Sequence, residues 1–183
     1  MIMVELEIDG QRIQAEEGTT ILEAASAIGV EIPHLCHDQR LKPLGACRLC
    51  LVEASRNGRT KLVASCSCPV EAGLVVRTDT EEVRKVRRMI LELLWPSLPG
   101  LAAEYGLTGS RFETGDTECN LCGLCVRYCA EVKKRHIAYF SGRGIDRQVA
   151  ILPDLAKECV YCRECFDFCT GGKIVNQSDL AFR

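Results

Sequence analysis

Cys119-Asn120-Leu121-Cys122-Gly123-Leu124-Cys125-Val126-Arg127-Tyr128-Cys129 sets four cysteines in eleven residues at the spacing C-x2-C-x2-C-x3-C. Cys159, Cys162, Cys165 and Cys169 repeat that spacing further on. Each iron of a [4Fe–4S] cube needs one outside thiolate; three close cysteines reach three corners, and the loop sends the fourth elsewhere. In a tandem of such runs the fourth cysteine of each serves the other cluster. The expected sets are Cys119, Cys122, Cys125 and Cys169 for one [4Fe–4S] cluster, and Cys159, Cys162, Cys165 and Cys129 for the other. Zinc sites pair two short C-x2-4-C units from separated segments, unlike four thiols packed into one run.

Working outward, the N-terminal third carries a different set. Cys36, Cys47, Cys50 and Cys66 follow the spacing C-x10-C-x2-C-x15-C. This differs from the plant-type C-x4-C-x2-C…C run by a longer first loop, and four thiolates suit a [2Fe–2S] cluster. Cys68 competes for the fourth place. Cys66 is favoured because it lies at a strand end while Cys68 directly precedes Pro69, which leaves Cys68 as a small packed residue. His34 and His37 raise the idea of a Rieske centre, which a sufficient set of cysteines makes needless.

The same third reads as a small, mostly β domain. Val4 to Ile8 and Gln11 to Glu16 flank Asp9-Gly10, and Leu49 to Ser55 and Thr60 to Ser65 flank Asn57-Gly58, two strong hairpin signals. Thr19 or Thr20 caps a helix through Ile28, which Gly29 stops. The second hairpin carries Cys50 and Cys66 to one end of the domain. Hairpin, helix and cysteine-bearing loop follow the order of a β-grasp ferredoxin.

Residues 79 to 95 predict an amphipathic helix, capped by Asp79 or Thr80 and ended by Pro96. Val83, Val86, Ile90, Leu93 and Leu94 form its apolar stripe. Arg84, Lys85, Arg87 and Arg88 form a basic face, read as solvated, with a docking surface for an acidic partner as the sharper alternative. Residues 96 to 118, rich in proline and glycine, predict a connector with one short helix around Leu101 to Tyr105. The expected fold is α+β: a β-grasp [2Fe–2S] ferredoxin domain at 1–78, a linker helix and connector at 79–110, and a bacterial-type dicluster [4Fe–4S] ferredoxin domain at 111–183.

Composition narrows the setting. The N-terminus has no basic n-region, long apolar core or cleavage site, so export is not expected. No stretch approaches the roughly 20 apolar residues of a membrane span. Thirteen cysteines, an odd number, in such a chain then read as reduced metal ligands rather than disulfides. A net charge of −2 gives no electrostatic case for nucleic acid. A cytoplasmic location is expected, without membrane insertion. There is no G-x-G-x-x-G loop, P-loop or G-x-S-x-G elbow, and with all three cysteine sets saturated no iron is left open for substrate.

Glu17-Gly18-Thr19-Thr20-Ile21-Leu22-Glu23-Ala24-Ala25, Ile32-Pro33-His34-Leu35-Cys36 and Gly45-Ala46-Cys47-Arg48-Leu49-Cys50-Leu51-Val52-Glu53 closely resemble one family. It comprises the iron–sulfur small diaphorase subunit of NAD-coupled hydrogenases and the N-terminal region of the large peripheral iron–sulfur subunit of bacterial complex I. Val63-Ala64-Ser65-Cys66 resembles its fourth [2Fe–2S] ligand segment, and Cys119 to Arg127 and Gly142 to Asp146 its dicluster section. Longer members carry a further [4Fe–4S] site with one histidine ligand; residues 67 to 118 contain no histidine and only Cys68, so a short, three-cluster form is implied.

The resemblance implies a non-catalytic electron-transfer subunit of a multi-subunit NAD(P)-linked oxidoreductase: a hydrogenase, a formate dehydrogenase or a flavin-based electron-bifurcating complex. Implied partners are a flavin- and NAD(H)-binding subunit and a further catalytic or redox subunit. The alternative is a free diffusible multi-cluster ferredoxin acting as a soluble electron carrier.

Overall fold

Asp9 and Gly10 both take left-handed φ values, +47° and +84°, as do Asn57 and Gly58 at +50° and +74°. Two positive φ values in succession make the tight turn whose twist matches paired strands. The first turn joins strand β1 (Met3–Ile8) to β2 (Gln11–Glu16), with Ile8 opposite Gln11; the second joins β3 (Leu51–Arg56) to β4 (Arg59–Ala64), with Arg56 opposite Arg59. Between the hairpins lies β5 (Val75–Arg77), parallel to β1 and antiparallel to β3, giving the sheet order β2-β1-β5-β3-β4. Asp9 ties the first turn to the end of β5 by accepting from the Thr78 backbone N–H at 2.8 Å and the Thr78 hydroxyl at 2.6 Å.

The computed structural model describes residues 2–95, 97–112, 119–169 and 174, in two compact units: 1–37 with 43–112, and 38–42 with 113–183. In the first unit, helix α1 (Ile21–Ala27) starts at a capping box. Thr20 Oγ1 accepts from the Glu23 N–H at 3.2 Å, and Glu23 Oε2 accepts from the Thr20 N–H at 2.8 Å, so two end amides are satisfied. Its Ile21, Leu22, Ala24 and Ala25 join Leu6, Ile8, Val52, Ala54 and Val76 in one apolar core. The period-two spacing of the strand members puts them on one sheet face.

Helix α2 (Glu81–Leu93) is capped by Thr80, whose hydroxyl accepts from Val83 N–H at 3.2 Å and donates to Glu53 at 2.8 Å. Its buried positions are Val83, Arg87, Leu91 and Glu92. The stripe expected from hydropathy is thus displaced: Leu93 is exposed, Val86, Ile90 and Leu94 are only partly covered, and Arg87, expected on the solvated face, is inside. Glu92 accepts from the Arg111 backbone N–H and from its Nε and Nη2, at 2.7 to 2.9 Å, which holds its carboxyl down to about 2. Pro96, expected to end this helix, lies outside the described residues. A short helix α3 (Pro99–Glu104) follows.

The second unit is built from smaller pieces. Helix α4 (Leu124–Arg127) continues into a π-helical turn at Tyr128–Val132. Strands β6 (Ala138–Ser141) and β7 (Gln148–Ile151) form an antiparallel pair, and α5 (Ala156–Cys162) runs into the second cysteine run. The turn after β6 requires glycine: Gly142 has φ +71°, and a Cβ there would lie 2.2 Å from the Asp146 carbonyl oxygen. The core gathers Leu124, Ile137, Val149, Ile151 and Ile174 around Cys125, Cys159 and Cys165.

Residues 38–42 belong to this second unit although the sequence sets them between Cys36 and Cys47. Leu41 is buried in its core, and Arg40 lies over the Phe168 and Tyr128 rings at 4.4 and 5.0 Å while pairing with Asp38. Lys42 N–H donates to Glu131 at 3.2 Å, and the Lys42 carbonyl accepts from Arg127.

Candidate metal centres

The β3–β4 register pairs Leu51 with Ala64. It therefore brings Cys50, just before β3, and Cys66, just after β4, to one end of the sheet. Cys50 carbonyl accepts from the Ser65 N–H at 3.0 Å. The loop carrying Cys47 passes close to the same end: Gly45 has φ +65°, and a Cβ on it would lie 3.1 Å from Ser67 Oγ and 3.6 Å from Ala64 Cβ. Cys47 N–H then donates to Cys36 Sγ at 3.4 Å. Cys36, Cys50 and Cys66 are each 1 % exposed, and Cys47 is half-buried.

These four thiols act on one another. The hydrogen bond between Cys36 and Cys47 pushes the Cys36 thiol up and holds Cys47 down to about 5. That between Cys66 and Cys50 pushes Cys66 up and holds Cys50 down to about 6. The Cys47 charge also reaches Cys50, and the Cys36 charge reaches Cys66. The wholly buried Ser65 hydroxyl lies beside Cys50 and favours its thiolate. Cys68 stands differently: burial and then the Glu71 carboxylate raise its thiol, and its Sγ lies 3.8 Å from the Pro69 carbonyl oxygen. His34 Nδ1 lies 3.0 Å from the Ile32 carbonyl oxygen, and the His34 and His37 rings meet edge-on at 5.4 Å.

In the second unit cysteines of the two runs lie near one another. Burial pushes Cys125 up, and the charges of Cys165, Cys122 and Cys169 push it further. Burial raises Cys159 to about 11, with Cys129 and Cys162 adding to it. Cys165 is raised to about 12 by burial and then by Cys159, Cys129 and Cys162. One concavity is lined by Cys129, Cys159, Cys162 and Cys165 together, with Lys133, Arg135 and Arg163 sharing its wall. Cys129 Sγ also accepts from the Ile137 N–H at 3.2 Å. Left-handed residues shape both runs, Leu121 at φ +54° and Gly123 at +76° in the first, Arg163 at +53° in the second.

The donor set fits an iron–sulfur group in both units. Several buried thiols that raise one another's proton affinity are costly to ionise together, and multivalent iron offsets that repulsion while taking thiolate as its ligand. Among the described residues no three His, Cys, Asp or Glu side chains converge closely enough for one metal ion; a cluster instead distributes its thiolates over several irons. Sequence reasoning missed Ser65 and Arg87 near the first set, and the placement of residues 38–42. The unusual length of the Cys36–Cys47 loop is the signal for the last of these.

With three buried cysteines and the half-buried Cys47 gathered at one end of its sheet, the first unit has the donors of a 2Fe–2S cluster binding domain, and residues 2–81 match the family described as 2Fe-2S iron-sulfur cluster binding domain. In the crystal structure of NAD+-reducing [NiFe]-hydrogenase in the H2-reduced state, one chain is similar at TM-score 0.68 and 34% identity, over 81% of this chain and 74% of that one. A subunit of the NADH-quinone oxidoreductase of Rickettsia bellii is 31% identical over 99% of this chain and 31% of its own length. The mitochondrial NADH-ubiquinone oxidoreductase 78 kDa subunit of Candida albicans is 29% identical over 98% of this chain and 29% of its own. The chain belongs to the iron–sulfur family that unites these oxidoreductase subunits with the hydrogenase chain. It spans about three-tenths of the length of these curated relatives.

Proposed function

We propose that this chain is a non-catalytic electron-transfer subunit of a multi-subunit NAD(P)-linked oxidoreductase. It relays single electrons through one [2Fe–2S] and two [4Fe–4S] clusters. Cys36, Cys47, Cys50 and Cys66 hold the [2Fe–2S] cluster in a β-grasp domain over 1–78. Residues 79–110 form the linker helix and connector. In a dicluster ferredoxin domain over 111–183, Cys119, Cys122, Cys125 and Cys169 hold one [4Fe–4S] cluster, and Cys159, Cys162, Cys165 and Cys129 the other. The observation that supports this reading is the company of Cys129, which lines one concavity with Cys159, Cys162 and Cys165 of the second run.

When bound, each cluster takes up and gives back one electron without forming a bond to substrate. The protein's part is to hold the thiolates, keep water from the first set, and fix the surrounding charge. The setting in this reading is the cytoplasm; no helix among the described residues is long and apolar enough to cross a membrane. Its partners are a flavin- and NAD(H)-binding subunit and a catalytic or second redox subunit of hydrogenase, formate dehydrogenase or bifurcating type.

Native purification with iron and zinc analysis tests it. About ten irons per chain are expected from two plus four plus four, with a flavoprotein co-eluting. Stoichiometric zinc ends the cluster reading. A fully loaded protein eluting alone near its own 20.2 kDa and active as a free carrier ends the subunit reading.

A further inference from the structure

Arg87 is 3 % exposed, in the middle of α2. Its Nε donates to the Leu49 carbonyl at 3.0 Å, its Nη2 to the Leu51 carbonyl at 2.7 Å, and its Nη1 to the Tyr105 hydroxyl at 3.0 Å. Leu49 and Leu51 flank Cys50, so the guanidinium fork grips the backbone on both sides of a thiol that faces Cys66. All three acceptors are neutral, and among the described residues no carboxylate is in ion-pair reach of Arg87. A buried cation without a counter-charge is expensive, and neutral hydrogen bonds offset only part of that cost. The surroundings therefore lack one ingredient: negative charge close to Cys50.

We propose that Arg87 is the buried counter-charge of the first cluster, fixed by the Leu49 and Leu51 carbonyls so that it favours the reduced state and raises the reduction potential. A cluster held by four thiolates is anionic and gains a further negative charge on reduction, so a fixed cation favours the reduced form more than the oxidised one. The planar fork supplies what an ammonium lacks, two carbonyl contacts two residues apart held at once. Arg87 is in this sense a positioning and tuning residue, acting through charge and through the Cys50 backbone. The inference rests on the assignment of a [2Fe–2S] cluster to the first cysteine set.

The test is a redox titration of the full-length, cluster-loaded chain, followed by electron paramagnetic resonance of the [2Fe–2S] signal. A unit charge acting over about 10 Å through an effective dielectric near 20 changes a one-electron equilibrium on the order of tenfold. Arg87→Gln is expected to lower the reduced-to-oxidised ratio at fixed ambient potential by roughly that factor, moving the midpoint negative. Arg87→Lys, which keeps the charge, and Tyr105→Phe, which keeps the arginine, are expected to hold the wild-type midpoint. Equal midpoints in wild type and Arg87→Gln overturn the proposal, as does Arg87→Lys falling as far as the glutamine variant. If Arg87→Gln does not retain iron, Arg87→Lys decides: a wild-type midpoint supports the counter-charge, and a markedly more negative one overturns it. A wild-type protein without any [2Fe–2S] signal instead removes the cluster assignment itself.

Discussion

In the first unit Ile8, Ile21, Val52 and Val76 are fully buried against one another, and Cys50 and Cys66 join a core that is otherwise made of aliphatic side chains from a sheet and a helix. In the second unit Cys125, Cys159 and Cys165 are themselves core residues, with Cys119, Cys122, Cys129 and Cys169 packed against them. Among the described residues its longest strands have four residues and its longest helix seven. The difference is one of proportion: aliphatic side chains dominate the first core, whereas cysteines supply a larger share of the second, which on the proposed reading makes its cluster ligands part of what it folds around. On that reading metal binding and folding are more nearly separable in the first unit than in the second.

The sharpest way to break that comparison is to strip the iron. Chelation is expected to abolish amide protection in β6, β7 and α5 while β1, β3 and β5 stay protected, read by hydrogen exchange with mass spectrometry. Equal loss in both units would show that the first sheet also depends on its metal.

Next in size are single ligands. Cys169→Ser and Cys119→Ser are expected to erase the same [4Fe–4S] signal, and Cys129→Ser the other one. Cys66→Ser should bleach the [2Fe–2S] signal that Cys68→Ser leaves in place. Loss of one shared [4Fe–4S] signal in the Cys119 and Cys129 variants, with Cys169→Ser removing the other, would undo the crossed assignment.

The smallest effect is expected from the first unit's apolar core. Ile21→Ala removes a fully buried side chain and should cost about 2–5 kcal/mol, seen as earlier denaturant unfolding of the first sheet with the [4Fe–4S] signals intact. A shift under about 0.5 kcal/mol, the range of ordinary surface changes, would mean that this core is not what holds the unit.

Much of the first unit was legible because its signals are local. Asp9-Gly10 and Asn57-Gly58 specify tight turns through their own φ preferences, and Thr20 with Glu23 writes a capping box within one helical turn. β5 was missed: three residues carry no measurable period, and its parallel partner β1 is some seventy residues away in sequence. Arg87 was misplaced for a different reason. Hydropathy assigns a guanidinium to water, and only the carbonyls of Leu49 and Leu51, on another element, make the inside tolerable. The cysteine runs themselves were legible, because their spacing is local. Their environment, such as the buried hydroxyl of Ser65 beside Cys50, depends on strand pairing and was not readable.

Residues 38–42 carry a consequence for how such a chain can be rearranged. The backbone passes from the first unit to the second, back, and over again, at 37/38, 42/43 and 112/113. No single cut therefore yields two whole parts, since a break near residue 112 leaves Leu41 and Arg40 on the wrong fragment. Genetic shuffling that moved the four-cysteine repeats alone would carry off a unit missing part of its own core. Inheritance as one indivisible cassette is what that five-residue excursion imposes.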